Sequence, residues 1–124
     1  MIYGIGTDII EVERMKNALL RSNSLKEKLF TAEEQQYCEG NAICFQHYAA
    51  RFSAKEAFFK ALGTGFRDGM AFTEIVVKND ALGKPVIETR GKVAALCSKE
   101  GITAIHLTMS HVKETAVAFV LLEK

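Results

Sequence analysis

Apolar and polar positions alternate from Ile2 to Ile10, with Tyr3, Ile5, Thr7 and Ile9 on one side and Gly4, Gly6 and Asp8 on the other. That period of two predicts a strand. Two glycines on the Asp8 side leave it bare of side chains, so another backbone or a ligand can approach closely. The period then changes. From Glu11 to Arg21 the apolar residues Val12, Met15 and Leu19 recur at helical spacing, while Arg14 and Arg21 fall on the opposite stripe. Glu11 and Glu13 lead and Arg21 closes, which suits a helix dipole. Ser22-Asn23-Ser24 breaks this helix, and Thr31-Ala32-Glu33-Glu34 is a capping box opening a short helix that ends at Gly40. Asn41 stands where it can cap a long helix running through Glu56 to Leu62, with Gly63 suited to end it.

Along that long helix Ala50, Ala54, Ala57 and Ala61 form one edge, at i, i+4, i+7 and i+11. Side chains this small allow the helix axis to lie against a neighbour. After Gly65 the pattern predicts a strand from Phe72 to Lys78, a turn over Asn79 to Pro85 and a return strand from Val86 to Thr89. Gly91 to Glu100 reads as a helix stopped by Gly101, and Thr103 to His111 with Thr115 to Leu122 as a closing hairpin. No repeat or linker interrupts the chain. The expectation is one α+β domain over residues 1–124, a mostly antiparallel sheet packed against a long central helix.

Composition narrows the class. The 124 residues are 48% hydrophobic and 25% charged with a formal net charge of +1, which suits a soluble domain and argues against a general nucleic-acid binder. No basic leader or run of about 20 apolar residues is present, so neither a signal peptide nor a membrane span is expected. Cys38, Cys44 and Cys97 have no metal-ligand spacing and sit among apolar neighbours, which fits packing in a reducing compartment, the cytoplasm.

The residues with chemistry to offer are few. Asp8 and Glu56, on separate elements, are the best pair for a hard cation such as magnesium, which takes oxygen ligands and often one or two protein carboxylates beside substrate phosphates. Lys60 follows Glu56 by four residues and can neutralise a phosphate or protonate a leaving oxygen; the same spacing also occurs as plain helix decoration. His47, His106 and His111 show no zinc pattern, and His111, where a strand meets a turn, is the one best placed for a ligand. Gly63-Thr64-Gly65 lacks the spacing of a P-loop and reads as a helix stop whose amides face solvent or an anion. Arg14 and Arg21 form either a solubilising stripe or a docking stripe for an acidic partner helix.

Gly4-Ile5-Gly6-Thr7-Asp8-Ile9-Ile10-Glu11, followed by Arg51-Phe52-Ser53-Ala54-Lys55-Glu56-Ala57-Phe58-Phe59-Lys60-Ala61-Leu62-Gly63-Thr64-Gly65, resembles the holo-acyl-carrier-protein synthase family of small 4′-phosphopantetheinyl transferases. Leu82-Gly83-Lys84-Pro85, Ser110-His111 and Ala116-Val117-Ala118 extend the likeness nearly end to end. The resemblance implies the family's fold and its reaction. Coenzyme A and Mg2+ bind, a serine of apo acyl carrier protein attacks the phosphate attached to pantetheine, and adenosine 3′,5′-bisphosphate leaves, a step serving fatty acid biosynthesis. It implies that Asp8 and Glu56 hold magnesium and that Lys60 sits on the diphosphate. By the same resemblance, Arg51, Lys55, Gly63, Lys84, Pro85 and His111 contact coenzyme A, and Arg14 and Arg21 dock the acidic carrier protein. A homotrimer with active sites between subunits is also implied. Two acceptors for the serine proton stay open, Glu56 or a metal-bound water oriented by Asp8. Ala50 stands where the family often has a basic residue, and Thr115 where an aromatic is common.

Overall fold

In the computed structural model, which describes residues 1–66 and 69–124, the first strand, β1 (Ile2–Glu11), passes directly into helix α1 (Val12–Arg21). A one-turn helix α2 (Leu25–Leu29), the capped helix α3 (Ala32–Glu39) and the long helix α4 (Cys44–Leu62) follow. A single 3-10 turn over Phe72–Glu74 leads to the hairpin β2 (Ile75–Asn79) and β3 (Pro85–Thr89), then helix α5 (Gly91–Lys99) and the closing hairpin β4 (Ala104–His111) and β5 (Thr115–Glu123). The sheet is antiparallel with order β1-β5-β4, and β2-β3 forms a second antiparallel pair. The α+β expectation holds.

The bare face of β1 is where the chain closes on itself. A Cβ built on Gly4 would lie 2.0 Å from the Ala61 carbonyl oxygen, and one on Gly6 would lie 2.1 Å from that of Ala57. Both contacts are to helix backbone, which has no side-chain freedom with which to yield. Ala50, Ala54, Ala57 and Ala61 are all buried, and Ala57 and Ala61 are the members of the edge that meet the glycine face of β1. Phe58, Val120, Leu122, Ile75 and Val93 share one core cluster with Ala57 and Ala61, and Met15, Leu19, Phe30 and Tyr48 share a second under α1. Gly6→Ala is expected to cost about 3 kcal/mol or more, because the added methyl must push strand and helix apart. Thermal unfolding should register a melting temperature lower by about 10 °C; an unchanged melting temperature would show that the contact relaxes freely.

Three local expectations are corrected. Leu25–Leu29 is helical, a single turn anchored by buried Leu29, where a break alone is expected after Arg21. Helix α4 begins at Cys44 and not at an Asn41 cap, because the Asn41 amide reaches back to the Tyr37 carbonyl at 2.7 Å. Phe72–Glu74 is a 3-10 turn and not strand. There the Phe72 carbonyl turns inward to accept from Lys55 Nζ at 3.0 Å instead of entering a ladder. The capping box of Thr31 and Glu34 is present in full.

Candidate active site

With Gly4 and Gly6 seated on α4, the next residue on the same face of β1 is Asp8, and its neighbours on the helix are Glu56 and Lys60. Lys60 Nζ donates to Asp8 Oδ1 at 3.1 Å and to the Thr7 carbonyl at 3.0 Å. Glu56 is half-buried, and burial first, then the Asp8 charge, raises its carboxyl above the usual carboxylate range while Lys60 opposes them. Two carboxylates thus face each other with one ammonium beside them.

The pair opens onto a groove of about 420 Å³ lined by Asp8, Glu56, Arg14, Phe52, Phe72 and Leu29, among others. A hard-cation site needs oxygen donors and access for phosphates and water. Asp8 and Glu56 supply the donors at the wall of such a groove. The donor set fits magnesium. Among the described residues no cluster of three or more Asp, Glu, His or Cys side chains is assembled.

Other expected site residues are distributed differently. Arg14 lines the groove beside Asp8, and Arg21 is exposed at the far end of α1. Gly63 ends α4 in the left-handed conformation at φ 78° with its surface open. Lys84 is exposed and Pro85 half-exposed on the tip of the β2-β3 hairpin, and neither lines the groove. His111 lies at the end of β4 with Nδ1 2.8 Å from Gln46 Oε1. Gln46 precedes Glu56 by ten residues, roughly 15 Å along the helix axis.

Arg51 and Lys55, expected against coenzyme A, are placed inside the chain. Lys55 is fully buried; Nζ donates to Glu34 Oε1 at 2.7 Å, the Leu29 carbonyl at 2.7 Å and the Phe72 carbonyl at 3.0 Å. The second Glu34 oxygen accepts from Val77 N at 2.9 Å, so one ion pair fastens α2, α3, α4 and β2. Burial pushes the Lys55 ammonium below its ordinary range against the pull of Glu34. Arg51, also buried, donates to Asn79 Oδ1 at 2.9 Å and stacks its guanidinium 4.1 Å from the Tyr37 ring centre. Asn79 in turn donates to the Gly83 carbonyl at 3.0 Å, so Arg51 steadies the turn that carries Lys84.

The sequence profile of the 4′-phosphopantetheinyl transferase superfamily matches residues 4–120. The chain belongs to that superfamily. It is 48% identical to a holo-[acyl-carrier-protein] synthase of Trichlorobacter lovleyi over 99% of this chain and 98% of that one. It is 44% identical to one of Geotalea daltonii over the full length of both. The crystal structure of the Neisseria meningitidis holo-[acyl-carrier-protein] synthase superposes with a TM-score of 0.92 at 37% identity over all of both chains. One from Bacillus anthracis in complex with CoA (3′,5′-ADP) gives 0.80 at 38% identity over 98% of this chain and 96% of that one. The fold of these synthases is therefore shared along the whole length of the chain.

Sequence reasoning missed part of the site. Phe72 joins Phe52 in walling the groove and stacks on Phe66 with ring centres 4.6 Å apart. Helical spacing places Phe52 near Glu56, but nothing local to Phe72 signals that the chain returns there. Gln46 as the partner of His111 is likewise a long-range pairing, 65 residues apart.

Proposed function

We propose that the chain transfers 4′-phosphopantetheine from coenzyme A to a serine of apo acyl carrier protein, with Mg2+ held by Asp8 and Glu56 and adenosine 3′,5′-bisphosphate released. The observation that carries this reading is that Asp8 and Glu56 line one groove while Lys60 is paired to Asp8, in a chain whose relatives bear that activity in their names. Magnesium, when bound, neutralises and polarises the diphosphate. The chain's own contribution is positional. Lys60, anchored on Asp8 and the Thr7 carbonyl, offers an ammonium to phosphate oxygens. Glu56, a half-buried carboxylate on the wall of the groove, is suited to take a proton from the attacking serine. Fixing donor and acceptor in line is the main demand of phosphoryl transfer.

Arg14 sits on the rim of the groove and Arg21 two turns beyond it on the exposed side of α1, a basic stripe next to the reacting end of the site. It suits an acidic carrier protein whose serine must reach Asp8. Arg14→Glu with Arg21→Glu should raise KM for carrier protein at least about tenfold while leaving coenzyme A binding nearly intact; surface plasmon resonance in low and high salt checks it. An unchanged salt dependence of association would contradict this docking face.

Lys84, Pro85, Gly63 and His111 contact coenzyme A in this reading, with the hairpin tip and the groove completed between neighbouring subunits of a homotrimer. The outward face of the sheet supports self-association: Ile5 (57% exposed), Ile9 (68%) and Phe119 (41%) are aligned across β1 and β5, with Val117 beside them. Four apolar side chains in one exposed patch are the mark of a covered surface. No helix among the described residues is long and apolar enough to cross a membrane, and we place the enzyme in the cytoplasm. The mass of apo acyl carrier protein after incubation with this protein, coenzyme A and Mg2+ tests the reaction. A gain equal to phosphopantetheine that vanishes with EDTA is expected. No gain from several carrier proteins would refute it.

A further inference from the structure

We propose that His47 and His111 form a two-imidazole proton store beside the nucleotide end of coenzyme A, so that its binding is coupled to proton uptake, with His47 acting through His111. The inference rests on the reading that His111 contacts coenzyme A.

Both rings are half-buried, and their centres lie 5.3 Å apart with planes at 70°. On its other side, His47 meets Tyr37 of α3 edge-on at 5.4 Å. Tyr37 in turn carries the Arg51 guanidinium 4.1 Å from its ring centre. The charged and titratable groups facing the pair are thus Tyr37 from α3, Arg51 from α4 and the two imidazoles themselves. No carboxylate among the described residues contributes to the shift of His47, which is pushed below its ordinary value by burial first, then by His111 and by Arg51.

These contacts have a definite consequence for an anion. Gln46 Oε1, a carbonyl oxygen, only accepts, so Nδ1 of His111 carries the proton in that hydrogen bond. The neutral ring then turns a bare lone pair at Nε2 toward its surroundings, which a phosphate oxygen repels. Binding a phosphate through Nε2 therefore requires the imidazolium. In the free protein a second imidazolium on His47 is opposed by its burial, by the first imidazolium and by Arg51. A phosphate dianion at His111 reverses that balance, and the second proton becomes favourable. No covalent bond changes; the proton comes from solvent and returns to it when the nucleotide leaves.

His47→Phe keeps the ring and removes the titration. At about pH 6 its KM for coenzyme A should exceed that of the wild type by about five-fold, the effect of one unit charge roughly 6 Å from another in a well-hydrated site. At about pH 8, where His47 is neutral in either case, the two should agree, and the effect should fall on KM rather than kcat. A ratio equal at both pH values would mean that His47 only packs, and would overturn the proposal. His111→Gln separates the two levels of argument. If it leaves KM for coenzyme A unchanged at both pH values, the contact assigned to His111 fails and the proton store with it. If it raises KM while His47→Phe has no pH-dependent effect, the proton store alone fails. NMR titration of the wild-type imidazoles gives a readout independent of any variant's folding. Adding adenosine 3′,5′-bisphosphate should move both histidine midpoints to higher pH, and a His47 midpoint that stays in place would overturn the coupling.

Discussion

Glu56→Gln and Asp8→Asn are each expected to lower kcat at least about 10²-fold while the protein stays folded. Each removes one of the two charged oxygen donors and leaves a side chain of the same shape. Loss of function should therefore come without loss of the seam between β1 and α4, which rests on Gly4, Gly6, Ala57 and Ala61. Circular dichroism checks the fold, and a carrier-protein turnover assay checks the rate. The two variants should differ in pH dependence. In the metal-free protein, burial and then Asp8 raise the Glu56 carboxyl, so Mg2+ uptake, and activity with it, should weaken as pH falls and a proton competes with the cation for Glu56. Asp8→Asn removes one of the two causes, so Glu56 in that variant remains ionised to lower pH. Near-normal turnover in both single variants would remove the carboxylate pair from the mechanism.

The second large effect concerns a residue inside the motif that does not reach the site. Lys55→Met strips the Leu29 and Phe72 carbonyls of their donor and leaves Glu34 as an uncompensated buried charge. Breaking a buried pair in this way costs about 3–5 kcal/mol, out of a total domain stability of about 5–15 kcal/mol. Urea unfolding measures it. Glu34→Gln should also destabilise, but combined with Lys55→Met the cost should fall short of the sum by about 0.5–3 kcal/mol, since both break one interaction. A Lys55→Met protein of wild-type stability with a raised KM for coenzyme A would instead restore Lys55 to the ligand.

Lys55 marks the limit of what the chain reveals in one dimension. Asp8, Glu56 and Lys60 were legible as one site chiefly through the family resemblance of the two motifs; the glycine face of a period-two strand and the alanine edge of a helix only permitted the close approach that brings them together. The fold class followed from the same periodicities and from the short connection between β4 and β5. By contrast, Arg51 and Lys55 stand in the same motif as Glu56, and spacing alone does not tell a residue aimed at a ligand from one aimed inward. Their burial depends on partners far away in sequence: Glu34, 21 residues before Lys55, and Asn79, 28 residues after Arg51. The 3-10 turn at Phe72 has the same origin, since its apolar residues read as strand until the Lys55 ammonium claims a carbonyl there. Helix α2 escaped notice for a simpler reason: five residues hold too little periodicity to show a face.

The account stands on the claim that Asp8 and Glu56 bind coenzyme A's diphosphate through a cation. Calorimetric titration of coenzyme A into the wild-type protein, with Mg2+ and then with EDTA, beside the same titrations of Asp8→Asn, tests it most directly. The wild type should bind at least about tenfold more tightly with Mg2+, and Asp8→Asn should lose that increment. Equal wild-type affinity with and without Mg2+ would contradict the claim.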